Sequence, residues 1–323
     1  MKLSELGEFN LINRLVKMID APPESVLVGI GDDAAAWRVN GSVVLATTDT
    51  LVEGVHFLAG RTPWADLGWK ALAVNVSDIA AMGGEPQYAL VTLGLPPETP
   101  VQGVDELYEG LRECAREYGV TVVGGDVVRA PQVMVSVALL GRAEVGADGS
   151  PRLMRRDAAR AGYVIAVTGT LGGSAAGLRR LKEGAPPDDP LIRAHLRPRP
   201  PLALARRAAG LGVPCAIDVS DGLLQDLGHV CEASGLGAVV RAELVPLSAE
   251  LRDVYPDDAL ALACAGGEDY ELLLLAPPET LAALTAVTVI GEMMESAERR
   301  ATLVEASGEE VSLPAAGWDH LRA

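Results

Sequence analysis

Six short segments of this chain set acidic side chains among glycine, serine or threonine. They are Gly29-Ile30-Gly31-Asp32-Asp33, Thr47-Thr48-Asp49-Thr50, Ser77-Asp78, Gly124-Gly125-Asp126, Asp218-Val219-Ser220-Asp221-Gly222 and Gly266-Gly267-Glu268-Asp269. Most follow an apolar run, such as Val43-Val44-Leu45-Ala46 or Val120-Thr121-Val122-Val123. Carboxylates at strand ends, beside glycines that let backbone approach a ligand closely, are suited to holding hard cations. To act together they require a fold that gathers element ends from far apart in sequence. The pattern reads as a cage for divalent cations, and Mg2+ in such a cage commonly holds phosphate.

The rest of the composition narrows the setting. A chain of 323 residues has the length of about two domains. Its 49% apolar content is ample for buried cores. No apolar run approaches the roughly 20 residues of a membrane span, and the acidic start Met1-Lys2-Leu3-Ser4-Glu5 lacks the apolar stretch of a secretory signal, so a cytoplasmic protein is expected. The 27 basic residues against 44 acidic ones leave a net charge of −17, and there are four lysines, Lys2, Lys17, Lys70 and Lys182. That balance argues against a nucleic-acid surface, which needs basic stripes. Cys114, Cys215, Cys231 and Cys264 have no C-x-x-C spacing and lie in apolar or helical contexts, where buried thiols are expected.

Periodicity predicts helices over about 11–19, 63–82 and 101–118, the second stopped by Gly83-Gly84. Strands are predicted over 26–28, 35–39, 43–48, 88–95, 120–123 and 133–141, with Asn40-Gly41 as a hairpin turn. The polar, Gly/Pro-rich segment 145–151 divides the chain into 1–145 and 146–323. Beyond it, strands at 163–167, 215–217, 238–240, 270–275 and 288–290 alternate with helical stretches, which argues a two-layer α/β or α+β domain. Residues 193–201 read as a basic, proline-punctuated connector.

Several of the acidic positions carry a physical argument of their own. Asp78 sits near the C-terminus of a predicted helix, against the negative end of its dipole, a cost of roughly 0.3–1 kcal/mol that a bound cation would offset. Asp218, Ser220 and Asp221 form an oxygen-ligand set at a strand-to-helix turn, although Asp221 before Gly222 also suits an N-cap. Thr47-Thr48-Asp49 offers three oxygens at the end of an apolar strand. Asp126 follows two glycines whose N–H groups are free to meet phosphate. Adjacent Asp32 and Asp33 point to opposite sides of an extended chain, so one of them faces the site. The glycine-rich 167–177 segment lacks the G-x-x-x-x-G-K-[ST] pattern and reads as a tight strand-to-helix turn. With few lysines, charge on a nucleotide has to be met by metal ions and an arginine such as Arg155 or Arg129. His56, one of four histidines, reads as structural, and Trp318 as an edge-of-core aromatic or a stacking platform.

In this order the segments GIGDDA (29–34), TTDTLVEGVHF (47–57), KALAVNVSDIAAMG (70–83), GGD (124–126), VTGTLGGSAAGL (167–178), HLRP (195–198), AIDVSDGLLQDLGH (216–229) and GGEDYEL (266–272) resemble the thiamine-monophosphate kinase family. That family lies within the superfamily of aminoimidazole-ribonucleotide synthetase-like ATP-dependent enzymes. The resemblance implies an α/β (α+β) fold of two domains, an N-terminal mixed sheet with helices that binds ATP and Mg2+ and pairs in a homodimer, and a C-terminal α/β domain. It implies several Mg2+ ions held by Asp33, Thr47, Thr48, Asp49, Asp78, Asp126, Asp218 and Asp221. ATP contacts would come from Tyr108, Gly125, Asp126, Arg155 and Ser220, and thiamine monophosphate contacts from His56, Glu268 and Trp318, the last preceding Asp319-His320. The implied reaction is ATP-dependent phosphorylation of thiamine monophosphate to the diphosphate, with no catalytic group beyond the metal and substrate ligands. Selenophosphate synthetase, aminoimidazole-ribonucleotide synthetase and a non-catalytic nucleotide-binding protein stand as alternatives.

Overall fold

The computed structural model describes residues 2–186, 188–313, 317–318 and 321. Two short N-terminal helices, α1 (Leu3–Leu6) and α2 (Glu8–Val16), lead into a first unit. It contains β1 (Val26–Val28), β2 (Ala35–Val39), β3 (Ser42–Val52), α3 (Trp64–Ala81), β4 (Glu85–Leu95), α4 (Val101–Tyr118), β5 (Thr121–Arg129) and β6 (Met134–Ala143). The strands form one six-stranded sheet in the order β1-β2-β3-β6-β4-β5, antiparallel except for the β4–β5 pair. Apolar alternation in β3 (Val43, Leu45, Leu51) and β6 (Val135, Val137, Leu139) turns one face onto α3 and α4. The turn at Asn40-Gly41 has both residues at positive φ (48° and 83°), the two-residue hairpin its sequence predicts.

The second unit contains β7 (Val164–Thr168), α5 (Gly173–Glu183), α6 (Pro190–Leu196), α7 (Leu202–Gly210), β8 (Cys215–Asp218), α8 (Leu223–Ser234) and β9 (Gly237–Arg241). After these come α9 (Ala249–Val254), α10 (Ala259–Ala265), β10 (Leu272–Ala276), α11 (Pro278–Leu281), β11 (Val287–Met294) and β12 (Ala301–Val304). Its six strands run β12-β9-β11-β7-β10-β8, again mixed, with β12 parallel to β9. The strand β10 is buried at every residue, so its unbroken Leu272–Leu275 run packs on both faces. All four cysteines are buried free thiols. No helix among the described residues is long and apolar enough to cross a membrane.

Four local expectations need correcting. The first amphipathic helix is α2, three residues earlier than predicted, because Gly7 at φ 78° provides its N-terminal break and Glu8 opens the first turn. The strand β3 does not end at residue 48: pairing with β6 continues from Thr47–Leu139 to Val52–Met134, which puts Asp49 in mid-strand. Gly124-Gly125-Asp126 is strand rather than turn, because an irregularity at Val123 re-registers β5 on β4 and the ladder continues to Arg129. Residues 193–196 of the expected connector are helical, the end of α6, which has Pro190 at its first turn and Asp189 as N-cap. The strand β12 carries no sequence signal strong enough to have been predicted.

Candidate active site

Where the two units meet, carboxylate oxygens of Asp33, Asp78 and Asp218 lie within 4.8 Å of one another. Asp78 comes from the last turn of α3, Asp33 from the approach to β2 and Asp218 from the end of β8. Packing of α3 on β3 sets the geometry. Thr47 Oγ1 donates to Asp78 Oδ2 at 2.5 Å, and the Asp49 N–H donates to Oδ1 of buried Asn75 at 3.1 Å. Across the units, Ser77 Oγ donates to Asp218 Oδ2 at 2.7 Å. Arg156 braces the cluster from behind: Nη2 donates to Asp33 Oδ1 at 2.6 Å and its backbone N–H to Asp32 Oδ2 at 3.2 Å. Asp33 is thus the member of its pair in the cluster, and Asp32 holds the Arg156 backbone.

One guanidinium does not balance this many carboxylates. Burial, with Asp49, Asp218 and Asp33 adding repulsion, pushes Asp78 well above the usual carboxylate range. Burial and then Asp33 push Asp218 up to about 8, against the hydrogen bond from Ser77 and the charge of Arg156. A set made only of hard oxygen donors, crowded enough to resist ionising, fits a hard divalent cation.

The cluster heads a cleft of about 320 Å³ whose lining includes Asp49, Asp78, Asp218, Ser220, Asp221, His56, Glu268 and Trp318. The expected competition for Asp221 is resolved by another residue. Gly222 is the N-cap of α8, and Oδ2 of buried Asp226 accepts N–H bonds from Ser220, Asp221 and Gly222 at 3.1, 3.1 and 3.0 Å. The capping work falls to Asp226, and the Asp221 side chain, which accepts from Gln225 Nε2 at 3.3 Å, lines the cleft. His56 Nδ1 accepts the Val52 N–H at 3.1 Å, which fixes its ring at the cleft wall. Trp318 is 43% exposed and tied by its backbone to Asp221 and Gln225; Asp319 and His320 beyond it lie outside the described residues.

The glycine-rich turn between β7 and α5 is not a phosphate cradle. Its Gly172 and Ser174 N–H groups are already bonded to the Asp269 carboxylate, at 2.6 and 3.0 Å. On the loop before β10 that carries Asp269, a Cβ on Gly267 would come within 2.4 Å of the Ser220 carbonyl oxygen. Gly267→Ala is therefore expected to destabilise the protein by about 1–3 kcal/mol, read as a lowered denaturation midpoint at unchanged m-value.

Other sequence-predicted residues do not reach this cleft within one chain. Asp126 is exposed on β5, in the row Thr50–Ser136–Thr92–Asp126, three interstrand spacings or about 14 Å from β3. Gly125 beside it has its hydrogen against the Val91 carbonyl, where a Cβ would stand only 1.8 Å from the oxygen. Tyr108 lines a separate groove between α4 and the start of β5. Thr48 Oγ1 donates to the Val137 carbonyl at 3.1 Å and alternates away from the face carrying Thr47 and Asp49. Arg155 reaches Asp157, so the arginine at the acidic cluster is its neighbour. Sequence reading missed Arg156, Asp226, Ser77 and Asn75. Only Asp226 had a local signal, as an acid in the first turn of a helix.

Comparison with known proteins adds independent weight. The AIR synthase related protein family matches twice, its N-terminal domain over residues 31–143 and its C-terminal domain over residues 160–304. Thiamine-monophosphate kinase of Aquifex aeolicus is 38% identical over 302 residues, 91% of this chain and 94% of its own length. The chain belongs to the thiamine-monophosphate kinase family. The family member from Escherichia coli K12 is 39% identical, over 97% of this chain and 98% of its own. A solved structure described as AaThiL complexed with AMPPCP and TMP superposes with a TM-score of 0.88 at 36% identity, covering 99% of both chains. The two-unit architecture, a mixed sheet with helices in each, is therefore that of the thiamine-monophosphate kinase family.

Proposed function

We propose that this chain transfers the γ-phosphoryl group of ATP to the phosphate of thiamine monophosphate, yielding thiamine diphosphate. The observation that carries the reading is the buried Asp33–Asp78–Asp218 cluster at the head of a cleft, in a chain alignable almost end to end with thiamine-monophosphate kinases. The acceptor is already a phosphate oxygen with a second pKa of about 6, so no general base is needed near neutral pH. A site rich in ligand oxygens and without a lysine-based phosphate loop suits that chemistry. When bound, Mg2+ ions held by Asp33, Thr47, Asp49, Asp78, Asp218 and Asp221 supply the charge neutralisation that lets two anionic phosphates approach. The chain's own residues do the remainder: Arg156 orients Asp33, Asp226 shapes the loop presenting Ser220, and His56, Glu268 and Trp318 hold the acceptor. Trp318 is suited to stacking on its rings, with a cation–π contribution from the thiazolium.

The same reading divides the chain at residues 145/146 and makes the functional unit a homodimer. Two open sheet edges support it. Beyond Ala46, β3 pairs with β6 on one side only, and β5 closes the far end of the same sheet with every residue but Val122 exposed. Val123 (56%), Val127 (67%), Tyr88 (49%) and Leu90 (45%) are large apolar side chains in this exposed region. A two-fold that lays β5 of one copy along residues 47–52 of the other closes both edges. It carries Asp126 and Gly125 toward the partner's acidic cluster, and Thr48 onto the shared face. A cytoplasmic location belongs to the proposal too, and four unpaired thiols suit a reducing compartment.

The direct test is a discontinuous assay of the purified chain with ATP, Mg2+ and thiamine monophosphate, followed by chromatography of the products. Stoichiometric ADP and thiamine diphosphate are expected. Release of AMP, or no diphosphate above background, would instead favour another member of the superfamily.

A further inference from the structure

Neither Lys70 nor His195 of the HLRP segment contacts the acidic cluster, yet both converge on one cleft residue. Lys70, Val74 and Asp78 share a face of α3 at four-residue spacing, with Lys70 two turns, or about 12 Å, from Asp78. Its side chain is 2% exposed, and Nζ lies 2.8 Å from Glu268 Oε1. Apart from that ion pair, Nζ has no hydrogen-bond partner among the described residues. Glu268 Oε2 lies 3.4 Å from Nδ1 of His195, which is also buried. The same Nδ1 is 3.0 Å from Oγ of buried Ser174, so one ring nitrogen faces both Glu268 and Ser174.

The backbone under Glu268 is strained in a way a purely structural ion pair does not require. Glu268 and Tyr270 both adopt positive φ, 68° and 52°. Surrounding bonds enforce this: the Glu268 N–H donates to Ser220 O at 2.7 Å and the Tyr270 N–H to Val219 O at 2.9 Å, while Asp269 is anchored to the α5 N-terminus. The result is a carboxylate whose direction is set from both its backbone and its two oxygens, 25% exposed, at the cleft wall. Burial pushes Glu268 up, but the Lys70 ammonium beside it outweighs this and holds the carboxyl below its ordinary value. Burial and then Lys70 push His195 down to about 3, so the ring is neutral.

We propose that Lys70 and His195 are positioning residues that hold Glu268 as an ionised acceptor for an amino group on the phosphate-accepting substrate, and so set its specificity without touching it. This rests on the thiamine monophosphate reading, in which the group recognised is the pyrimidine amine. A carboxylate pinned by one buried ammonium accepts an N–H at its exposed lone pairs and rejects a substrate that leaves it unpaired.

The test is steady-state kinetics of the full chain with ATP, Mg2+ and two acceptors, thiamine monophosphate and its deamino analogue with hydrogen in place of the amine. The wild type is expected to prefer the amine by at least about 100-fold in kcat/KM. Lys70→Met is expected to narrow that ratio below about 10-fold and to raise KM for thiamine monophosphate, with KM for ATP unchanged within about 2-fold. His195→Leu is expected to narrow it as well, and His195→Asn, which keeps a polar group toward Glu268, to restore much of it. If Lys70→Met does not fold, the two His195 variants decide the matter. A stable, slower Lys70→Met that keeps the wild-type preference would reduce Lys70 to an ordinary interdomain ion pair and overturn the inference. No turnover of thiamine monophosphate by the wild type would instead overturn the functional reading beneath it.

Discussion

Mixing inactive Asp126→Asn subunits with inactive Asp218→Asn subunits is expected to restore about a quarter of wild-type activity. The expectation follows from the sheet. Within one chain Asp126 stands about 14 Å from β3, across β6 and β4, whereas Asp218 is 2% exposed in the acidic cluster. If β5 serves the partner's site, a mixed dimer has one site with both substitutions and one with neither. Random pairing makes half of the dimers mixed, each with one intact site of two, which gives about one quarter. Each variant alone is expected to lose at least about 100-fold in kcat, since removing even an outer-shell partner of a metal site costs 10–100-fold. The measurement is activity after subunit exchange at equal concentrations, against each variant alone. Persistent inactivity of the mixture, with exchange verified by mass spectrometry of tagged chains, would put Asp126 outside the partner's site.

The second large effect concerns the cluster without its cation. Asp218→Asn removes a charge from a crowd that repels itself, so in metal-free buffer the variant is expected to be at least as stable as the wild type while nearly inactive. Saturating Mg2+ should reverse the order: ligand at about 100 times its Kd stabilises the wild type by about 2.7 kcal/mol, and the variant by much less. The pH dependence has a definite sign. Asp218 stands at about 8 in the folded protein, above its unfolded value near 3.9, so the folded state holds the extra proton between those limits. Its contribution is fully present below about pH 4 and is lost as pH rises through about 8, with a slope of at most about 1.4 kcal/mol per pH unit. Metal-free wild type should therefore lose stability between about pH 4 and pH 8 relative to Asp218→Asn, and Mg2+ should abolish the difference. Denaturant midpoints at four pH values, with and without Mg2+, read this directly. Equal pH slopes for the two metal-free proteins would show that the cluster ionises freely and has no need of a cation.

These experiments differ in what suggested them. The aspartate at 218 was visible as a carboxylate closing an apolar run, and the structure keeps it there. The placement of Asp126 away from the acidic cluster was not visible, because Gly124-Gly125-Asp126 looks like a turn and is in fact an edge strand continuing to Arg129. Glycine in a strand gives no outward sign of its reason, which here is the Val91 carbonyl pressed against Gly125. Likewise an Arg-Arg pair at 155–156 offers no local basis for choosing between its members. Only the contact between the 32–33 loop and the segment preceding β7 selects Arg156.

By itself the sequence determined the elements and the supply of ligands. Alternation of apolar residues marked most of the strands, Asn40-Gly41 marked the hairpin, and the isolated cysteines marked buried thiols, because each depends on chemistry within a few residues. The acidic punctuation named the carboxylates of the cluster for the same reason. What only the tertiary structure decided is which of them meet. Asp33, Asp78 and Asp218 converge because Ser77 bridges to Asp218 between the units and Arg156 pulls Asp33 inward. Asp221 lines the cleft rather than capping α8 because Asp226, in that helix's first turn, takes the N–H groups of residues 220–222. Lys70 found its partner across the junction at Glu268. Such pairings depend on strand order, register and the docking of α3, which no local period encodes.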